Sequence, residues 1–201
     1  MNVSALAQRL AGFLALGALA AVLSACMITS ETNLVADGEG VTPLPATFHF
    51  FSYTEKEGAI VRTEDAPMSF TLGEGNFYAD AAGQMKVAFV PLGSEEGTYL
   101  LSIAAPDGSI YGVARLADNL MELRMVLGSD VAAELQAAGA TSVQVQDGGI
   151  IVADRAMLDL VAGLVAEGKI TASPVLGYVG ETADATVPAT LVKDGDWYKG
   201  A

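Results

Sequence analysis

Met121-Glu122-Leu123-Arg124-Met125 alternates apolar and charged side chains without a break. Successive side chains of an extended chain point to opposite faces. The run therefore sets Met121, Leu123 and Met125 on one face and Glu122 and Arg124 on the other, the pattern of a half-buried strand. The same texture runs back to Ala46 and includes most of the aromatic residues, from Phe48, Phe50, Phe51 and Tyr53 to Phe89, Tyr99 and Tyr111. Alternating runs predict strands over 46–54, 59–63, 67–72, 76–80, 84–91, 98–104, 109–116 and 120–127. Turn chemistry separates them at Asp80–Gly83, Pro106-Asp107-Gly108-Ser109 and Ala117-Asp118-Asn119. Turns rich in Asp and Gly between alternating segments are hairpin signals. The expectation is an antiparallel β-meander, either open or curled into a partly closed barrel.

After Gly128 the period changes. Val131, Leu135 and Ala138 fall at helical spacing behind Ser129 or Asp130 as a cap, with Gly139 to end the turn. A short strand-like stretch, Ser142–Gln146, and a second, Ile150–Ala153, flank a turn at Asp147-Gly148-Gly149. Asp154 then caps a second helix whose Met157, Leu158, Val161, Leu164 and Val165 form one stripe, ended by Gly168. Residues 170–179 read as one more strand. The helical part has few aromatics and must pack on the sheet. The fold class expected is α+β: the meander, then two short helices with one or two extra strands. Residues 47–180 read as a single domain, β-rich over 47–127 and mixed over 128–180. Residues 181–201 read as a C-terminal tail or last strand, with Trp197 and Tyr198 either clamping it to the sheet or anchoring a partner.

The first residues carry a different signal. One positive charge, Arg9, precedes an uncharged apolar run from Leu10 to Val22. This is the plan of a secretory signal, and the run is shorter than the ~20 residues a bilayer-crossing helix needs. Leu23-Ser24-Ala25-Cys26 follows, with the only cysteine of the chain. These four residues resemble the lipobox of bacterial lipoproteins. The resemblance covers the first 26 residues and implies that residues 1–25 are a signal peptide. It further implies that the Cys26 thiol is lipidated and that Cys26 becomes the first mature residue. The competing readings are an uncleaved anchor over 10–28 and an ordinary cut after Ala25; the four lipobox positions and the preceding apolar run agree against both. In the resembled class, Met27 in place of an aspartate implies, for a Gram-negative cell, the periplasmic face of the outer membrane. More than one acyl chain makes such attachment stable. Residues 26–46 are polar and broken by Gly38, Gly40, Pro43 and Pro45, so they read as a lipidated end and flexible tether. Twenty flexible residues span ~25 Å root-mean-square.

The chain carries 10 Lys and Arg against 24 Asp and Glu, a net charge of −14. Loss of residues 1–25 removes a base and no acid. Such a surface repels nucleic acid, whose binding rests on Lys and Arg. With Cys26 lipidated, no thiol remains for a disulfide or a soft metal site. His49 is the only histidine, which excludes two-histidine zinc motifs. No G-x-S-x-G or S-x-x-K motif supplies a nucleophile. Gly163–Lys169 approaches a phosphate loop, but Ile170 stands where Ser or Thr must hold magnesium, and the stretch ends a helix instead of starting one. The acidic pairs Glu55/Glu57, Glu95/Glu96 and Asp194/Asp196 lie in turn-like stretches without calcium-loop spacing. The reading is therefore non-catalytic, with no cofactor and no metal: an envelope lipoprotein that engages another envelope protein, attached to the membrane through Cys26. The alternative is a carrier of a small apolar ligand held in the barrel, similar to lipocalin-like barrels in architecture; a dry, side-chain-filled interior sinks it. His49, Tyr53, Tyr99, Tyr111 and Arg115, polar-tipped residues within the aromatic strands, are the candidate ligand-binding residues.

Overall fold

The computed structural model describes residues 27–106, 108–126, 131–140, 143–146 and 149–201. Cys26, the caps Ser129 and Asp130, and the turn residues Asp107, Asp147 and Gly148 lie outside the described residues. The strands, in chain order, are β1 (Ile28–Ser30), β2 (Thr47–Lys56), β3 (Ala59–Arg62), β4 (Met68–Leu72), β5 (Tyr78–Asp80), β6 (Lys86–Pro91), β7 (Thr98–Ala105), β8 (Gly108–Ala117) and β9 (Leu120–Val126). Helix α1 (Val131–Ala137), strands β10 (Gln144–Gln146) and β11 (Gly149–Ile151), and helix α2 (Arg155–Ala166) follow. The chain ends with β12 (Ala172–Gly180), β13 (Thr190–Asp194) and β14 (Trp197–Gly200).

Eight strands close into an antiparallel barrel in the order β2-β4-β5-β6-β7-β8-β9-β12, with β12 returning to β2. The structure thus decides between an open meander and a barrel, and the closure is complete. The strand over 170–179, read as an extra, is the one that seals the barrel. On one side its Val175 stands opposite Leu123 of β9, and on the other its Val179 stands opposite Phe50 of β2. Closure removes two open edges and their unpaired backbone groups. The label α+β also overweights the helices, which are a minor part of a β-rich barrel. Gly177 marks the tightest point of the seal: a Cβ there would lie 1.9 Å from the Phe50 ring.

Alternation gives every barrel strand an inner and an outer face. The inner faces contribute Phe48, Phe50, Phe70, Tyr78, Val87, Phe89, Leu101, Ala114, Met121 and Val179. Their rings meet in series: Phe48 stacks on Phe70 at 5.1 Å, and Tyr78 meets Phe48 edge-on at 5.2 Å. Phe89 then meets Tyr78 and Tyr99, each at 5.9 Å and near perpendicular. These are the offset and T-shaped geometries that ring quadrupoles favour. The barrel is thus filled by its own side chains along this ladder.

The outer faces of β6, β7 and β8 carry Ala88, Val90, Leu100, Tyr111 and Val113, and these lie under α1, α2 and the β1-β11-β10 extension. Helix α2 presents Leu158, Val161, Ala162, Leu164 and Val165 to this layer, as its stripe predicts. The Asp154 side chain accepts from Met157 N at 2.9 Å, the expected cap.

The flexible-tether reading of residues 26–46 does not hold for the part the structure describes. Ile28 lies between Tyr111 of β8 and Ile150 of β11 and is fully buried, and Met27 is 2% exposed. Farther on, Val41 bridges to Phe89, and the Glu39 carboxylate pairs with Arg155 of α2. The cause is non-local: Ile28, Val35 and Val41 sit in a polar stretch, but their partners lie far along the chain. The C-terminal residues form two strands, not a tail. β13 pairs with β3, β14 pairs with β13, and Leu191, Trp197 and Tyr198 pack on Tyr53, Leu120, Leu176 and Tyr178 outside the barrel.

Candidate functional site

Two grooves gather polar groups, one on the barrel wall and one at its mouth. The wall groove encloses about 310 Å³ and is lined by Glu95, Arg115, Glu122, Arg124, Ala166, Lys193, Asp196 and Tyr198. It grows from the alternation of Met121 to Met125. With Met121 inside the barrel, Glu122 and Arg124 must face out. Arg115 of β8 stands directly opposite Glu122 of β9 in the ladder. The Glu122 side chain is only 8% exposed, and Arg124 Nε donates to it at 2.8 Å while Arg115 lies 3.9 Å from its other oxygen. A buried carboxylate persists only when cations and hydrogen bonds compensate it, which these two guanidiniums do. Arg115 also pairs with Glu95 at 3.1 Å, and its guanidinium lies 5.0 Å from the centre of the Trp197 ring. The β13–β14 hairpin forms the opposite bank with Lys193, Asp196 and Tyr198.

The mouth groove encloses about 410 Å³ between Pro43, Leu44, Glu96, Gly97, Tyr99, Leu116 and Asp118. Buried Tyr78 fixes one wall: its hydroxyl donates to Leu44 O at 2.7 Å and accepts from Leu44 N at 3.3 Å. Burial pushes that hydroxyl's pKa above its ordinary value, with the bond to Leu44 O partly opposing the rise. Gly97 holds another wall. Its φ is +79°, Leu116 N donates to its carbonyl at 2.8 Å, and a Cβ there would strike Leu116 O at 2.5 Å.

The five candidate residues do not converge. Arg115 lies in the wall groove and Tyr99 at the mouth. His49 is half-buried, with Nδ1 2.8 Å from Ser69 Oγ. Tyr53 donates its hydroxyl to Pro188 O at 2.6 Å, and burial raises its pKa. Tyr111 is 1% exposed; its hydroxyl accepts from Leu34 N and donates to Thr32 O, which ties down the N-terminal segment. These last three hold the fold together. Sequence reasoning missed Glu122, Arg124 and Lys193 on the wall, and Leu44, Glu96 and Asp118 at the mouth. The signal for Glu122 and Arg124 was present, since two opposite charges on the solvent side of a strand invite a cross-strand partner. The acidic pair Glu95/Glu96 divides between the two grooves.

Among the described residues, no group of three His, Cys, Asp or Glu is arranged to hold a metal, and no helix is long and apolar enough to cross a membrane. The fold is a closed eight-stranded antiparallel barrel, filled inside and covered on one wall by two helices. Comparison with family models, with curated proteins and with solved structures returns no match.

Proposed function

We propose that this chain is a non-catalytic lipoprotein of the bacterial envelope, held by lipidated Cys26 at the periplasmic face of the outer membrane, that engages another envelope protein through the wall groove. The groove's composition carries the reading. Arg, Trp and Tyr dominate protein-binding hot spots, and here Arg115, Trp197 and Tyr198 gather around a charged floor of Glu122 and Arg124. Three basic residues, Arg115, Arg124 and Lys193, line the groove in a chain with 24 acids. Alternating charge favours register and partner choice more than raw affinity.

The anchor in this reading has almost no leash. Met27 is buried and Ile28 opens β1, so one residue separates the acyl chains from the sheet. One extended residue reaches ~3.5 Å. The domain then sits against the headgroups.

A photo-crosslinking amino acid at Tyr198 in the lipidated chain, expressed in its own cells, tests the engagement. One dominant adduct, abolished by Arg115→Ala with Glu122→Ala, is expected; adducts that ignore those substitutions overturn the groove assignment. The mass of the mature N-terminus tests the anchor, since an unacylated Cys26 overturns it.

The second reading, a carrier of a small ligand, draws on the aromatic ladder that ends in Tyr99 at the mouth groove. The filled interior argues against a ligand held deep in the barrel, so this reading reduces to binding at the mouth.

A further inference from the structure

The mouth groove sets apolar side chains beside two carboxylates. Leu44, Tyr99 and Leu116 line it together with Glu96 and Asp118, and no basic residue does. Both carboxylates are exposed, and neither enters an ion pair among the described residues. This sets the groove apart from the wall groove, where Glu95 and Glu122 are answered by arginines.

The groove's parts are fixed. Tyr78 pins the Leu44 wall from inside the barrel, and Phe89 holds the Tyr99 ring edge-on at 86°. Asp118 occupies the left-handed region at φ 52° in the β8–β9 turn, a conformation that Asp and Asn tolerate best among residues with side chains. An aromatic face near carboxylates attracts a cation twice, through the ring quadrupole and by direct charge. The acidic balance of the whole chain adds to the pull on approaching cations.

We propose that the mouth groove binds a small organic cation with an apolar or aromatic body: the ammonium between Glu96 and Asp118, the body on Tyr99, Leu44 and Leu116. The proposal rests on the small-ligand reading of the mouth and names the ligand's chemistry. A neutral apolar ligand would leave both carboxylates unanswered, and an anion would meet them directly.

The test uses the full chain purified in detergent, with 2-naphthylmethylammonium as probe and the neutral 2-naphthylmethanol as its isostere. Calorimetry and the NMR signals of Tyr99 and Leu116 report binding. The expected result is saturable binding of the ammonium, about tenfold tighter than the alcohol, with the preference lost in Glu96→Gln/Asp118→Asn. That variant keeps the turn, because Asn accepts the same φ, and its circular dichroism checks the fold. Equal binding of both probes overturns the cation assignment and leaves a mouth site for apolar ligands. Binding of neither overturns both, as does an ammonium preference that survives the double substitution.

Discussion

The two faces of the same barrel strands solve burial differently. Inward, Phe48, Phe70, Tyr78, Phe89 and Tyr99 interlock ring to ring within one closed wall. Outward, Ala88, Leu100 and Val113 offer a smooth aliphatic surface that two helices and β1 cover. Ring packing is rigid and uses large side chains at fixed angles, so the interior has one arrangement. The outer layer is assembled from separate chain segments, and its order depends on their docking. The inner face therefore defines the barrel, and the outer face decides where the N-terminus and helices lie.

This contrast breaks most sharply at Phe89, which touches two other rings. Phe89→Ala is expected to cost about 4 kcal/mol in urea unfolding, the usual cost of a large buried aromatic. Leu158→Ala removes a fully buried side chain of α2 and is expected to cost about 3 kcal/mol. The two variants separate the layers when unfolding is followed both by Trp197 fluorescence and by far-ultraviolet circular dichroism. Coincident transitions in Leu158→Ala mean that the layers unfold together; an early loss of helix signal means that the outer layer is a separable unit.

Tyr78→Phe keeps the ring and removes the hydroxyl that holds Leu44. The expected cost is about 1 kcal/mol, with faster amide exchange at Leu44 and no change among the inner rings. Unchanged exchange at Leu44 would show that its wall stands without the pin. The smallest effect concerns α1, where Glu134 accepts from the Thr171 hydroxyl and from Thr171 N at 2.8 Å. These bonds hold its carboxyl below the usual glutamate range. A depressed carboxylate contributes stability above its unfolded pKa and loses it as pH falls through the folded one. The melting-temperature advantage of the native chain over Glu134→Gln is thus expected at pH 7 and should shrink as pH falls below the unfolded value of about 4.3 and through the lowered folded one. A difference that stays constant across the acid range would assign the contact to packing, not charge.

Much of the molecule was legible from pattern. Alternation at MELRM marked β9 and its two faces; β3, β4, β5, β6 and β9 fall within the expected runs, and β7 and β8 overrun theirs by a single residue at one end or both. The second helix was legible from Asp154 to Gly168 because a cap and a terminal glycine are local chemistry. The grooves were not legible. Arg115 and Tyr99 were singled out for their chemistry, but what they face depends on strands and loops from elsewhere in the chain.

Composition, period and turn residues determined the acidic balance, the strands, the helices and the lipobox-like start, since each is set by neighbours within a few residues. Tertiary structure alone decided that β12 would seal the barrel and that Ile28 would enter the sheet beside Ile150 and Tyr111. It likewise decided that adjacent Glu95 and Glu96 would face different grooves. The reason is physical: a helix satisfies its backbone within itself, whereas a strand needs a partner, and nothing in a strand's own residues names that partner.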